Sequence, residues 1–181
     1  MKIDIEEKVE IPKDVQIKVD KGLIQAKGPR GEVSRKLLHP KVKISVQENK
    51  ITISSKKATK REKKIIGTFK AHLKNMLKGV LEPFVYKLKI CSSHFPMTAS
   101  VKDNEFNVQN FLGENIPRTL TLKSGVNIKV EGTDITVESP DRELAGQTAA
   151  SIEQLCKITN RDRRIFQDGI YIISKAGKEI K

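Results

Sequence analysis

Apolar and polar residues alternate between positions 38 and 55, and the same alternation returns 84 positions later. Leu38, Val42, Ile44, Val46, Ile51, Thr52, Ile53 and Ser55 recur as Leu122, Val126, Ile128, Val130, Ile135, Thr136, Val137 and Ser139. A period of two sets such residues on one face of a strand, so each copy reads as an antiparallel β-hairpin. The first turns through Glu48-Asn49 and the second through Gly132-Thr133-Asp134. Shorter alternating runs predict strands ahead of each hairpin, at 15–19, 23–26 and 33–38 in one copy and at 99–102, 105–109 and 118–122 in the other. A further run, 84–90, leads from the first copy into the second.

After each hairpin the apolar period lengthens to that of a helix. In the first copy Thr59 and Glu62 have capping-box spacing, Ile66, Phe69, Leu73 and Met76 form the buried stripe, and Gly79 closes the helix. In the second, Ser139-Pro140 supplies the N-cap and first-turn proline. There Leu144, Thr148, Ile152 and Leu155 face the core, and Ala145, Ala149 and Ala150 allow close packing. The reading is α+β: two tandem similar domains, each a small, mainly antiparallel sheet with one helix packed on one face. Residues 1–82 form the N-terminal repeat; residues 83–181 form the C-terminal repeat with a basic C-terminal extension.

Composition narrows the function. Aromatics make up 4% of the chain and Trp is absent, so the cores must be built from Ile, Val and Leu. A net charge of +13 favours a polyanionic partner over a small neutral substrate. The first 84 residues carry 21 Lys and Arg against 10 Asp and Glu, and residues 156–181 carry 7 against 3. No apolar run approaches the roughly 18 residues of a membrane span, and the acidic, alternating N-terminus is not a secretory signal. Two cysteines, Cys91 and Cys156, make no disulfide framework and suit a reduced, intracellular chain.

Catalytic chemistry has little to stand on. His39, His72 and His94 are scattered. Cys91-Ser-Ser-His94 offers half a zinc site with no second pair, and strand alternation would turn its two side chains to opposite faces. No metal site or cofactor is expected, and no phosphate loop of the nucleotide-binding kinds occurs. Gly28-Pro29-Arg30-Gly31 joins two strands and reads as a tight turn with Arg30 at its tip.

Anion binding has two candidate places. Lys56, Lys57, Lys60, Arg61, Lys63 and Lys64 crowd the start of the first helix, where the macrodipole prefers acids. Near the C-terminus, Arg161, Arg163 and Arg164 surround a single Asp162, with Lys157 before them and Lys175, Lys178 and Lys181 after. Guanidiniums match phosphate oxygens as forks. An Asp168-Gly169 turn would bring the arginines and lysines onto one surface. Helix-turn-helix, zinc-finger and aromatic single-strand signatures are absent, so phosphate and ribose contacts to a folded RNA are expected rather than base reading.

Three segments, KGPRGEVSR at 27–35, GTFKAHLKNMLKGV at 67–80 followed by 84–90, and 139–172 ending in RDRRIFQDGIY, resemble the large-subunit ribosomal protein L-six family in its archaeal and eukaryotic form. The resemblance spans nearly the whole chain and includes the tandem duplication. It implies a non-enzymatic structural constituent of the cytoplasmic ribosome, near the translation-factor-binding side of the large subunit. Its partners would be large-subunit rRNA, neighbouring ribosomal proteins and nearby translation factors, with no membrane and no small-molecule substrate. The rRNA contacts it implies are Asn160, Arg161, Arg163, Arg164, Gly169 and Tyr171, with Lys157 and Lys175 beside them. The rivals are a free-standing nucleic-acid chaperone or DNA-binding protein and a thiol enzyme centred on Cys91.

Overall fold

The computed structural model describes residues 3–47 and 49–180, so one half of the expected Glu48-Asn49 turn and the basic Lys181 lie outside the described residues. The chain divides into two units, Met1–Pro83 and Phe84–Lys181. Among the described residues each is α+β, with a single α-helix against antiparallel strands that are distributed over two sheets.

The first unit runs β1 (Ile3–Glu10), β2 (Gln16–Asp20), β3 (Leu23–Gly28), β4 (Gly31–Lys36), β5 (Lys43–Gln47), β6 (Lys50–Ala58) and α1 (Lys60–Leu81). Its sheets have the orders β1-β6-β5 and β2-β3-β4. In the hairpin Ile44 pairs with Ile53 and Val46 with Ile51, which turns both β6 isoleucines into the core against Ile66 and Leu73 of α1. Thr59 caps α1 in a full capping box, its N–H donating to the Glu62 carboxylate at 2.8 Å. The helix does not stop at Gly79, which is buried in its last turn, but continues to Leu81. Pro83 ends it, because the residue before a proline is forced out of the helical region, and Glu82 is extended at φ −132°.

The turn Pro29-Arg30 closes β3 on β4 and also caps α1: the Arg30 N–H donates to the Val80 carbonyl at 3.1 Å. That approach depends on Gly28, where a Cβ would lie 2.8 Å from the Val80 oxygen. Backbone cannot yield as a flexible side chain can. Gly28→Ala is therefore expected to destabilise the first unit by roughly 1–3 kcal/mol, seen as a lower urea midpoint with an unchanged slope.

The second unit runs β7 (Phe84–Cys91), β8 (Thr98–Lys102), β9 (Glu105–Gln109), a short 3-10 turn (Phe111–Gly113), β10 (Arg118–Thr121), β11 (Asn127–Glu131), β12 (Asp134–Ser139), α2 (Arg142–Leu155), β13 (Gly169–Lys175) and β14 (Lys178–Glu179). Its sheets are β11-β12-β7-β13-β14 and β10-β9-β8. Ile135 opposite Leu88, Val137 opposite Tyr86 and Ile170 opposite Ile90 form the face that α2 covers. The N-cap of α2 is Asp141 rather than Ser139; its carboxylate accepts the Glu143 N–H at 2.9 Å. Ser139 ends β12 instead, its buried hydroxyl donating to the Gly125 carbonyl at 2.8 Å.

The repeat is imperfect in packing. Leu122 is 7% exposed, but its counterpart Leu38 is 66% exposed, and Leu37 takes the core position instead. The segment read as an extension of the second repeat is threaded into its sheet: β13 pairs along β7 and separates it from β14.

Candidate nucleic-acid interface

The residues between α2 and β13 form a loop with its own internal scaffold. The Asp162 carbonyl accepts the N–H groups of Ile165 at 3.2 Å and Phe166 at 2.9 Å, which closes a turn. The Asp162 carboxylate accepts the Arg164 N–H at 2.9 Å and the Arg164 guanidinium at 2.8 to 3.2 Å. These bonds, first from the Arg164 side chain and then from its backbone, hold the Asp162 carboxyl below its ordinary value. Asn160 takes the left-handed conformation at φ 57°, which asparagine tolerates better than most residues.

Asp168 fixes this loop to the rest of the unit. It is 2% exposed and accepts hydrogen bonds from the Ser93 N–H, the His94 N–H at 3.1 Å and His94 Nδ1 at 2.5 Å. Burial on its own would push the carboxyl up, but the backbone N–H groups of His94 and Ser93, with the His94 ring, reverse this and hold it at about 2. The His94 ring also stacks on Phe166 at 4.8 Å, and the Arg161 guanidinium lies 5.0 Å from the centre of the same Phe166 ring. Asp168-Gly169 is thus no turn. Asp168 is an anchor, and Gly169 begins β13 opposite Cys91.

The three arginines have unequal surroundings. Arg164 is neutralised by Asp162 although exposed. Arg161 stands over Phe166, close enough to Glu114 to add to the lowering of that carboxyl, which is due first to its hydrogen bond with Arg118. Arg163 makes no hydrogen bond or ion pair among the described residues, and it lines an open cleft of about 800 Å³ with Cys91, Ser93, Gln167 and Tyr171. The Tyr171 hydroxyl donates to the Gln167 carbonyl at 3.0 Å. Burial raises its pKa, while the Arg163 charge acts in the opposite direction.

The other site residues fall into three groups. Lys157 and Asn160 are exposed at the start of the loop, beside the arginines. Gly169 is buried, and a Cβ there would come within 3.3 Å of the Tyr171 ring, so it supports the tyrosine and offers no surface of its own. Lys175 is separated from the arginines. It sits at the far end of β13, about 20 Å from Gly169 at the rise of a strand, opposite Tyr86. An irregularity between Ile172 and Ser174 also puts it on the sheet face opposite to Tyr171. Lys178 pairs with Lys175 across the β13–β14 turn, so the arginines and the lysines do not converge on one surface.

In the first unit Lys56, Lys57, Lys60, Arg61, Lys63 and Lys64 are all exposed. Among them sits a buried acid: Glu62, hydrogen-bonded first by the Thr59 side chain and then by its backbone, and 3.5 Å from Lys41, is held at about 2. It restores the negative charge that a helix start prefers.

The family model of ribosomal protein L6 matches this chain twice, over residues 11–83 and 95–169. The chain belongs to the ribosomal protein L6 family. The two matches fall one in each unit. Large ribosomal subunit protein uL6 of Nanoarchaeum equitans is 45% identical over 97% of this chain and 96% of its own length. The uL6 proteins of Methanococcus vannielii and Methanobrevibacter smithii are 42% and 43% identical over 96% and 94% of this chain, and over 96% of their own lengths. These relatives are archaeal, within the archaeal and eukaryotic form that the ending RDRRIFQDGIY pointed to. Family membership sets aside both rivals, the thiol enzyme centred on Cys91 and the free-standing DNA-binding protein: the chain is a ribosomal protein, not an enzyme. The sequence pointed to Asp168 as a turn residue, but neither to its anchoring contact with His94 nor to the part Phe166 plays. No local period or motif joins His94 to Asp168, which are 74 residues apart.

Proposed function

We propose that the chain is a structural constituent of the large ribosomal subunit in the cytoplasm, and that it binds large-subunit rRNA through the loop between α2 and β13, on the translation-factor-binding side. The observation that carries this reading is the loop itself. Asp168 and the His94–Phe166 stack anchor it, and it presents Arg161 and Arg163 without an acidic hydrogen-bond partner among the described residues. The Phe166 ring restricts the Arg161 guanidinium before binding, so this side chain loses less freedom on meeting phosphate. Lys157 and Asn160 extend the same contact, and Tyr171 frames its edge. Lys175 belongs to a separate, weaker contact at the other end of β13. The basic start of α1 offers a second rRNA or protein contact: at 100° per residue, Lys60, Arg61, Lys63 and Lys64 share about half of the helix circumference, opposite Glu62 and Ile66.

The test is sedimentation with salt titration. The protein is expected to co-sediment with large subunits. Its affinity for a folded rRNA fragment should fall steeply with salt, because phosphate contacts release counterions. Equal affinity for duplex DNA, or absence from the large-subunit fractions, would refute the reading.

A further inference from the structure

The first unit has a groove that the rRNA reading does not use. β1 is the edge strand of its sheet. Lys8, Val9 and Glu10, three consecutive residues, all line an open groove of about 620 Å³ between this strand and α1. Consecutive residues point to opposite faces of a strand, so the groove follows the main-chain edge of β1. Its floor is apolar: Val9 and Leu77 are buried, and Leu81 and Pro12 complete it. Its helix wall carries Lys70, Lys74 and Lys78, spaced four apart and therefore in one row. Lys70 is paired with Glu7 at 2.6 Å and Lys74 adds its charge there, while neither Lys74 nor Lys78 has a hydrogen bond or ion pair among the described residues; Glu10 and Glu82 also line the groove, leaving the lysines in excess.

We infer that this groove takes an extended, acidic segment of another protein as a strand added to the edge of β1. An exposed sheet edge offers main-chain donors and acceptors in register for a strand. Every second side chain of the added strand would face α1, where apolar groups meet Leu77 and Leu81 and acids reach the lysine row beside them. A phosphate backbone would meet the lysines but has nothing to place on the floor. The neighbouring proteins of the particle proposed above are the natural source of such a segment, although the assay below needs no ribosome, so its failure leaves the rRNA reading standing.

The probe is a labelled eight-residue peptide with threonine at every second position and valine and glutamate in turn at the others, so that both kinds face α1, titrated into the full chain and followed by fluorescence anisotropy. Saturable binding is expected. It should weaken tenfold or more when alternate peptide nitrogens are methylated, and equally with Lys74→Glu and Lys78→Glu together. The Lys74→Arg, Lys78→Arg variant should bind as the parent does. Circular dichroism checks that the exposed substitutions leave the fold unchanged. The inference is overturned if the methylated peptide binds as well as the parent, or if the charge-reversed chain still binds it. Displacement of the peptide by a uridine oligonucleotide of equal charge would overturn it too, as would dimerisation through the same edge.

Discussion

Replacing Arg161, Arg163 and Arg164 together with alanine is expected to abolish stable incorporation into large subunits and to weaken binding of an rRNA fragment on the order of a thousandfold. Each lost charge-assisted contact accounts for roughly a factor of ten. The salt slope should fall by roughly two to three, about one for each phosphate contact removed. The fold should survive, because all three side chains are exposed. The single substitutions should not be equivalent. Arg164→Ala removes a guanidinium already neutralised by Asp162 and should be the mildest. Arg163→Ala removes the one that faces the Tyr171 cleft with no acid beside it and should be the most severe. Gradient fractionation and filter binding read both effects, and normal incorporation of the triple variant would rule out the loop as the main rRNA contact.

Asp168→Ala is expected to destabilise the second unit by about 2 kcal/mol, in line with the loss of hydrogen bonds to a charged group. It removes the acceptor shared by Ser93 and His94, so the loop should become mobile and rRNA affinity should drop even though no arginine is touched. The effect carries a pH signature. The ordinary value of the carboxyl is 3.8 and in the folded chain it is about 2, so the folded state favours the charged form. The stabilisation is therefore present above about pH 4 and is lost as pH falls from about 4 to 2. Urea midpoints of parent and variant should differ near neutrality and converge across that window. A constant difference down to pH 2 would show that Asp168 acts through packing rather than charge.

Much of the fold was legible because it rests on local periods. The 84-residue recurrence located both hairpins, and capping-box spacing located the start of α1. Errors clustered at element ends, where one neighbour decides. Pro83, not Gly79, ends α1, and Asp141 takes the cap of α2 because Ser139 is held by the Gly125 carbonyl. Leu38 and Leu122 occupy equivalent repeat positions with opposite burial, because Leu37 fills the core in one unit.

The candidate site divides along the same line. By itself the sequence determined the duplication, the α+β class, the excess of positive charge and the density of arginines at 161–164, since these are properties of composition and spacing. Only the tertiary structure decided which of those arginines stands free of an acid, that Asp168 is an anchor rather than a turn, and that Lys175 lies a strand's length away. The reason is physical. A hydrogen bond between His94 and Asp168 needs Cys91 and Gly169 to be paired across two antiparallel strands, and strand pairing is fixed by the packing of Ile90, Ile170 and α2, not by the residues that make the bond.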